Sequence, residues 1–201
     1  MKLAAAVAVA VGLAVVTPAS AGPLNGHPNA LPGWTGTAPF ANGSLTGTID
    51  YAVFGPGDFP YAGYTPSPGE VTYVYQINNT GVEAVSAQFT GLAPGNGANN
   101  IGNFIINPLA NPPEAIPSFQ QITATTAQWL FNPGIPSSIG TSAGLVFSSP
   151  NAPMNGIALV VDGGTNAQAL VPTPSDQPIP EPAVLMLMAA GGVMIGFRRR
   201  G

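Results

Sequence analysis

Apolar and polar side chains alternate with period two over short stretches of the interior of the chain, and nothing there keeps a helical period. In Leu45–Phe54, Ile49, Tyr51 and Val53 interleave with Thr48, Asp50 and Ala52. This predicts a strand with Asp50 turned to solvent or to an inter-strand groove. In Val71–Ile77, Val71, Tyr73, Tyr75 and Ile77 share one face, with Thr72, Val74 and Gln76 on the other. Asn78-Asn79-Thr80-Gly81 has turn chemistry, because Asn tolerates left-handed backbone and Gly supplies positive φ. Val82–Leu92 then carries Val85, Ala87 and Phe89 on one face, so the two segments read as a hairpin with Glu83 in water at the start of the second strand. Further strands are expected at Phe104–Ile106, in Phe119–Phe131 (one strand or a pair), at Leu145–Ser148, Ile157–Val161 and Ala167–Val171.

Between them lie an irregular lead-in (Gly22–Phe40), a polar loop (Asn96–Asn103), a stiff connector (Asn107–Ser118), turns at Asn132-Pro133-Gly134 and Asp162-Gly163-Gly164, and an extended proline-rich stretch, Pro172–Pro180. About eight short strands joined by Gly, Pro and Asn turns predict an all-β fold, a single β-sandwich of jelly-roll or immunoglobulin-like topology.

The ends follow other rules. Lys2, an apolar run from Leu3 to Val16, and small residues at Ala19 and Ala21 have the layout of a secretory signal peptide, with cleavage before Gly22. At the other end, Pro180-Glu181-Pro182 precedes an uncharged stretch, Ala183–Phe197, and the cluster Arg198, Arg199 and Arg200. As a helix the stretch covers roughly 22 Å, short of the roughly 30 Å hydrocarbon layer, a gap that snorkelling arginines and local thinning can close. The arginines belong on the cytoplasmic side and act as a stop-transfer cluster.

These three parts, in this order at the terminus, resemble the PEP-CTERM protein-sorting domain. The resemblance covers Pro180–Gly201 and none of the body. It implies export across the inner membrane of a Gram-negative cell that makes exopolysaccharide or biofilm, by way of export machinery and signal peptidase. It also implies transient inner-membrane anchoring, handling by an exosortase-type membrane protease, and delivery to the cell surface or extracellular matrix. The expected organisation is a signal peptide (1–21), a sandwich domain (22–171), a tether (172–179) and a sorting signal with transmembrane helix and basic tail (180–201).

Charge sharpens this picture. Only 6% of residues are charged, and Lys and Arg occur only at positions 2 and 198–200. All eight carboxylates lie between. A body without Lys or Arg has no side-chain cation for phosphate, which excludes nucleic acid as a partner. Its carboxylates must be solvated, held by N–H donors or bound to metal. The absence of cysteine removes thiol catalysis and Cys-ligated metal.

Candidate chemistry in the body is sparse. His27 stands alone, so zinc of the usual kind lacks ligands, and no Ser sits in a Gly-x-Ser-x-Gly elbow. No spacing favours any carboxylate pair for glycoside hydrolysis. Asp162-Gly163-Gly164-Thr165-Asn166 offers oxygen donors that could hold calcium, although an Asp capping its own turn explains the motif as well. Tyr61 and Tyr64, in a loop, are candidates for stacking on sugars. The reading is an exported, non-enzymatic structural or adhesive protein without cofactor, and the alternative is a carbohydrate-binding module acting on exopolysaccharide.

Overall fold

The computed structural model describes residues 24–178, apart from 94, 96, 138 and 139. The signal peptide, the Pro-Glu-Pro motif, the apolar tail and the arginine cluster lie outside the described residues.

In chain order the strands are β1 (Ala30–Asn42), β2 (Leu45–Phe54), β3 (Val71–Asn79), β4 (Val85–Gly91), β5 (Asn99–Phe104), β6 (Phe119–Ile122), β7 (Thr126–Ile135), β8 (Gly140–Thr141), β9 (Gly144–Ser149), β10 (Asn151–Val161) and β11 (Asn166–Pro178). They form two antiparallel sheets. The first has the order β1-β2-β3-β9-β5, with β8 also paired to β3, and the second has the order β11-β10-β4-β7-β6. The described residues thus form an all-β, two-sheet, sandwich-like fold.

The main core lies between the sheets. Trp129, Tyr73, Tyr75 and Phe147 are fully buried there. Phe147 stacks on Tyr73 at 5.1 Å between ring centroids and on Trp129 at 6.4 Å. Each polar tip finds a carbonyl: Tyr73 Oη donates to Asn151 O at 2.9 Å, Tyr75 Oη to Pro172 O at 2.5 Å, and Trp129 Nε1 to Gly102 O at 3.0 Å. Large rings can therefore fill the interior without stranding a donor. The expected core face of Val71, Tyr73, Tyr75 and Ile77 lies in this cluster.

Several local expectations are overturned. The segments around Asn78–Gly81 do not form a hairpin. β3 pairs with β2 and β9, whereas β4 pairs with β10 and β7. The turn chemistry is real but serves a crossing between sheets: Thr80 and Gly81 donate their N–H groups to Thr46 O. The buried amide of Asn79 spans the gap, bonding Glu83 O at 2.8 Å and Pro136 O at 3.0 Å. Nor does β4 keep its expected face. A register shift between Val85 and Ala87 turns Gln88 and Thr90 inward and puts Phe89 on the outside.

The lead-in contains strand β1, disguised by Pro32, Gly33 and Pro39. Gly33 adopts φ of 81° within an irregularity between Ala30 and Thr35, and Pro39 is tolerated because β1 is an edge strand. The same edge logic corrects the proline-rich stretch. Residues expected to be a tether continue β11, with Pro172, Pro174 and Pro178 paired to Asn155, Pro153 and Asn151. Part of the polar loop before Phe104 is strand β5. Asn132-Pro133-Gly134 lies inside β7, and Phe119–Phe131 divides between β6 and β7.

Candidate functional site

The outer faces of the two sheets differ, and the difference follows from the loops. On the first sheet, Ala52, Phe54, Val74, Phe104 and Val146 would leave an apolar surface, but the chain roofs it with Leu24, Phe59, Tyr61 and Tyr64. Tyr61 is 6% exposed and its ring centroid lies 4.7 Å from that of Phe104. Tyr64 is half-buried, donates its hydroxyl to Asn100 O, and lies where any side chain at position 102 would clash. Burial pushes both phenols up to about 12. The two candidate stacking residues are therefore roof timbers of one aromatic cluster, with little ring surface for a sugar.

His27 belongs to this roof. Its ring meets Phe54 edge-on at 5.2 Å and Tyr61 at 5.6 Å, and Nδ1 accepts from Asn29 N at 3.2 Å. Burial holds its pKa below the usual imidazole value of 6.5. Below that value the unfolded chain takes up a proton that the folded chain resists. The stability His27 contributes is thus complete above about pH 6.5 and is lost as pH falls from there through the lowered folded value. The expected result is a wild-type urea midpoint that drops between pH 7 and 5 more steeply than that of His27→Gln. Parallel pH profiles would contradict it.

Four of the seven described carboxylates are scattered among structural tasks. Glu114, 7% exposed, receives Ile106 N at 2.9 Å on one oxygen, and Asn107 N at 2.8 Å and Gln76 Nε2 at 3.1 Å on the other. Glu70 ties the end of the roofing loop to the sheet through Ser148 Oγ at 2.6 Å and Asn99 Nδ2 at 2.7 Å. Asp50, on the outer face as expected, receives Thr37 Oγ1 and Asn78 Nδ2. Asp162 Oδ1 accepts Gly164 N at 2.9 Å and Thr165 N at 2.6 Å. These bonds, Gly164 first, hold its carboxyl below the usual range and close the β10–β11 hairpin. Among the described residues no three His, Cys, Asp or Glu side chains gather where they could hold a metal ion.

The second sheet has no comparable roof among the described residues. Two registered rows cross its outer face through all five strands: Gln168–Leu159–Phe89–Gln128–Gln121 and Asn166–Val161–Ala87–Leu130–Phe119. Ile157 and Leu170, directly opposed, extend it and are 49% and 61% exposed. None of these positions is ionisable. Near the Asp162 turn the face dips into an open recess of about 440 Å³, lined in part by Phe89, Leu159, Val161 and Thr126. Period-two alternation could not reveal this face, since β10 is apolar on both sides and the bulge in β4 reverses the parity of Phe89.

Fold and geometry together define, over the described residues, an all-β two-sheet arrangement whose second sheet leaves an open, partly apolar outer face. Comparisons with protein-family models, curated proteins and solved structures find no match to the chain.

Proposed function

We propose that the protein is an exported, non-enzymatic structural or adhesive component of the cell surface or extracellular matrix, sorted through its PEP-CTERM-like tail. The observation that carries the non-enzymatic part is how the acids are used. Asp50, Glu70, Glu114 and Asp162 each spend acceptor oxygens on the chain's own donors and fasten one segment to another. None of these four converges on a groove with a partner for acid–base work. The sequence supports the sorting part, through the conjunction of Pro180-Glu181-Pro182, Ala183–Phe197 and Arg198–Arg200.

Of the two expected topologies, the strand order favours the jelly-roll. β4 pairs with β7 and β5 with β9, as B–E and C–F do in an immunoglobulin sandwich. The strand flanking β4 is however β10, which follows β9 in the chain, and the strand flanking β9 is β3, which precedes β4. An immunoglobulin-like chain has these two flanking strands the other way round.

Because β11 runs to Pro178, only Ile179 separates the last strand residue from Pro180. The processing enzyme would therefore meet its motif directly below the folded body, without the longer spacer that the prolines suggested. The test is fractionation of the native host with terminal mass mapping. The mature protein is expected at the outer surface, beginning at Gly22 and ending near Pro180–Pro182. A surface protein that still carries Phe197 and the three arginines would show a permanent anchor and defeat the sorting reading.

The carbohydrate-binding alternative has one geometric support, the recess beside Phe89. It predicts that retardation on exopolysaccharide gels is lost in Phe89→Ala and kept in Tyr61→Phe.

A further inference from the structure

We infer that the outer face of the second sheet is the contact by which two copies of this chain associate, face to face. Three observations converge on a second copy.

The first is the contrast between the faces. The chain folds an aromatic roof over the apolar outside of its first sheet, but the described residues leave Ile157, Leu170 and Phe119 of the second sheet 49%, 61% and 47% exposed. Large apolar surfaces of this kind mark interaction sites.

The second is charge. The described body carries seven of the eight carboxylates, all but Glu181, and no Lys or Arg. Copies that meet elsewhere bring negative surfaces together with no cation to pair them. The outer face of the second sheet has no ionisable side chain in either row, so no charge is repelled or desolvated when two such faces close, and its amides (Gln168, Gln128, Gln121 and Asn166) can bond across the seam or to one another. A cationic partner finds nothing there to bind. A sugar would find two rings on different strands, Phe89 on β4 and Phe119 on β6, with β7 between them. The nearest amide, Gln128, is already bonded to Gln121 at 3.0 Å.

The third is size. Five strands at about 4.8 Å spacing and five residues at about 3.3 Å give a footprint of roughly 400 Å² before side-chain relief is added. Two such faces together approach the roughly 1,000 Å² of total burial that a specific interface requires. Sheets stacked this way lie about 10 Å apart with side chains interdigitated. The association is thus a second sandwich interface made from two molecules, and it stands apart from the question of where the protein is delivered.

The chain has no cysteine, so a single introduced thiol reports on one place. In the purified full chain, Gln168→Cys puts a thiol on the open face. Leu109→Cys puts one in the β5–β6 connector, at a residue 89% exposed. With a short bismaleimide, the Gln168→Cys chain is expected to give covalent dimers whose yield falls on dilution, while the Leu109→Cys chain gives few. Adding Ile157→Glu, or Leu170→Glu on the edge strand where folding is least at risk, should lower the dimer yield of Gln168→Cys by about tenfold or more. Circular dichroism on each variant checks that the sheets persist. Equal yields from the two thiols, no dimer from Gln168→Cys, or indifference to both glutamates would overturn the inference. So would dimers that vanish when 183–197 is deleted yet ignore both glutamates, or polysaccharide retardation abolished by Phe89→Ala in a chain that does not cross-link.

Discussion

Trp129→Ala should destabilise the protein by about 3–5 kcal/mol in urea melts, enough to consume much of the stability of an ordinary domain. Trp129 is fully buried at the centre of the main core, stacked on Phe147 and set edge-on to Tyr75. Its indole N–H, from the second sheet, donates to Gly102 O in the first, so the one side chain both fills and stitches the layer between sheets. Trp129→Phe keeps a ring but leaves that buried carbonyl without its donor, and should cost roughly 1–3 kcal/mol. Val82→Ala, at a residue 74% exposed, should change stability by about 0.5 kcal/mol or less. Comparable losses for Trp129→Ala and Val82→Ala would refute the assignment of the core.

The second large effect is expected at Glu114. Glu114→Ala leaves the N–H groups of Ile106 and Asn107 and the Gln76 amide without their acceptor. At about 1–3 kcal/mol for each buried donor left unmade, the loss should reach roughly 3 kcal/mol or more. Glu114→Gln keeps the shape and one oxygen but aims an NH₂ group at a donor, so an intermediate loss is expected. Gln76→Glu is informative here. Strand alternation puts Gln76 on the face opposite the core, where the change would be almost silent. The structure instead has its amide donating to Glu114 and to Ser142 O at 3.0 Å. A carboxylate there would face another carboxylate and a carbonyl, and should cost well over 1 kcal/mol. A urea midpoint within error of wild type for both Glu114→Ala and Gln76→Glu would show that the connector does not dock on the sheet through this acid.

These two positions mark where the sequence is legible and where it is not. The inward faces of β2 and β3 can be read because Ile49, Tyr73, Tyr75 and Ile77 recur at period two with mostly polar residues (Thr48, Asp50, Thr72, Gln76) between them, and the Asp162 turn because Asp and Gly-Gly adjoin a break in apolar pattern. Pairing cannot. Asn78–Gly81 has the chemistry of a hairpin turn, yet Thr80 and Gly81 donate to Thr46 O and the Asn79 amide reaches Pro136 O, long-range choices that no local pattern encodes. Prolines in β1 and β11 mimic irregular chain because edge position, which excuses a missing N–H, is a property of the sheet. The roof over the first sheet is hidden in the same way, since Tyr61 and Tyr64 sit in a loop by sequence and against Phe59 and Phe104 in space. Of the three fates open to carboxylates in a chain without cations (solvent, N–H donors or metal), Glu114 adopts the second.

The pairing of β11 also has a mechanical side. The chain leaves the described fold at Pro178, beside Asn151 at the start of β10, and β11 is registered against β10 from there back to Asn166. A pull on the C-terminal end along the axis of the strand loads those hydrogen bonds together, in shear, where a pull across the sheet would peel them one after another. The Tyr75 hydroxyl bond to Pro172 O passes part of the same load into the opposite sheet. Were the tail held and the body tugged, as the proposed sorting and adhesion would require, the proline-bearing strand would work as a strain-bearing seam of the molecule.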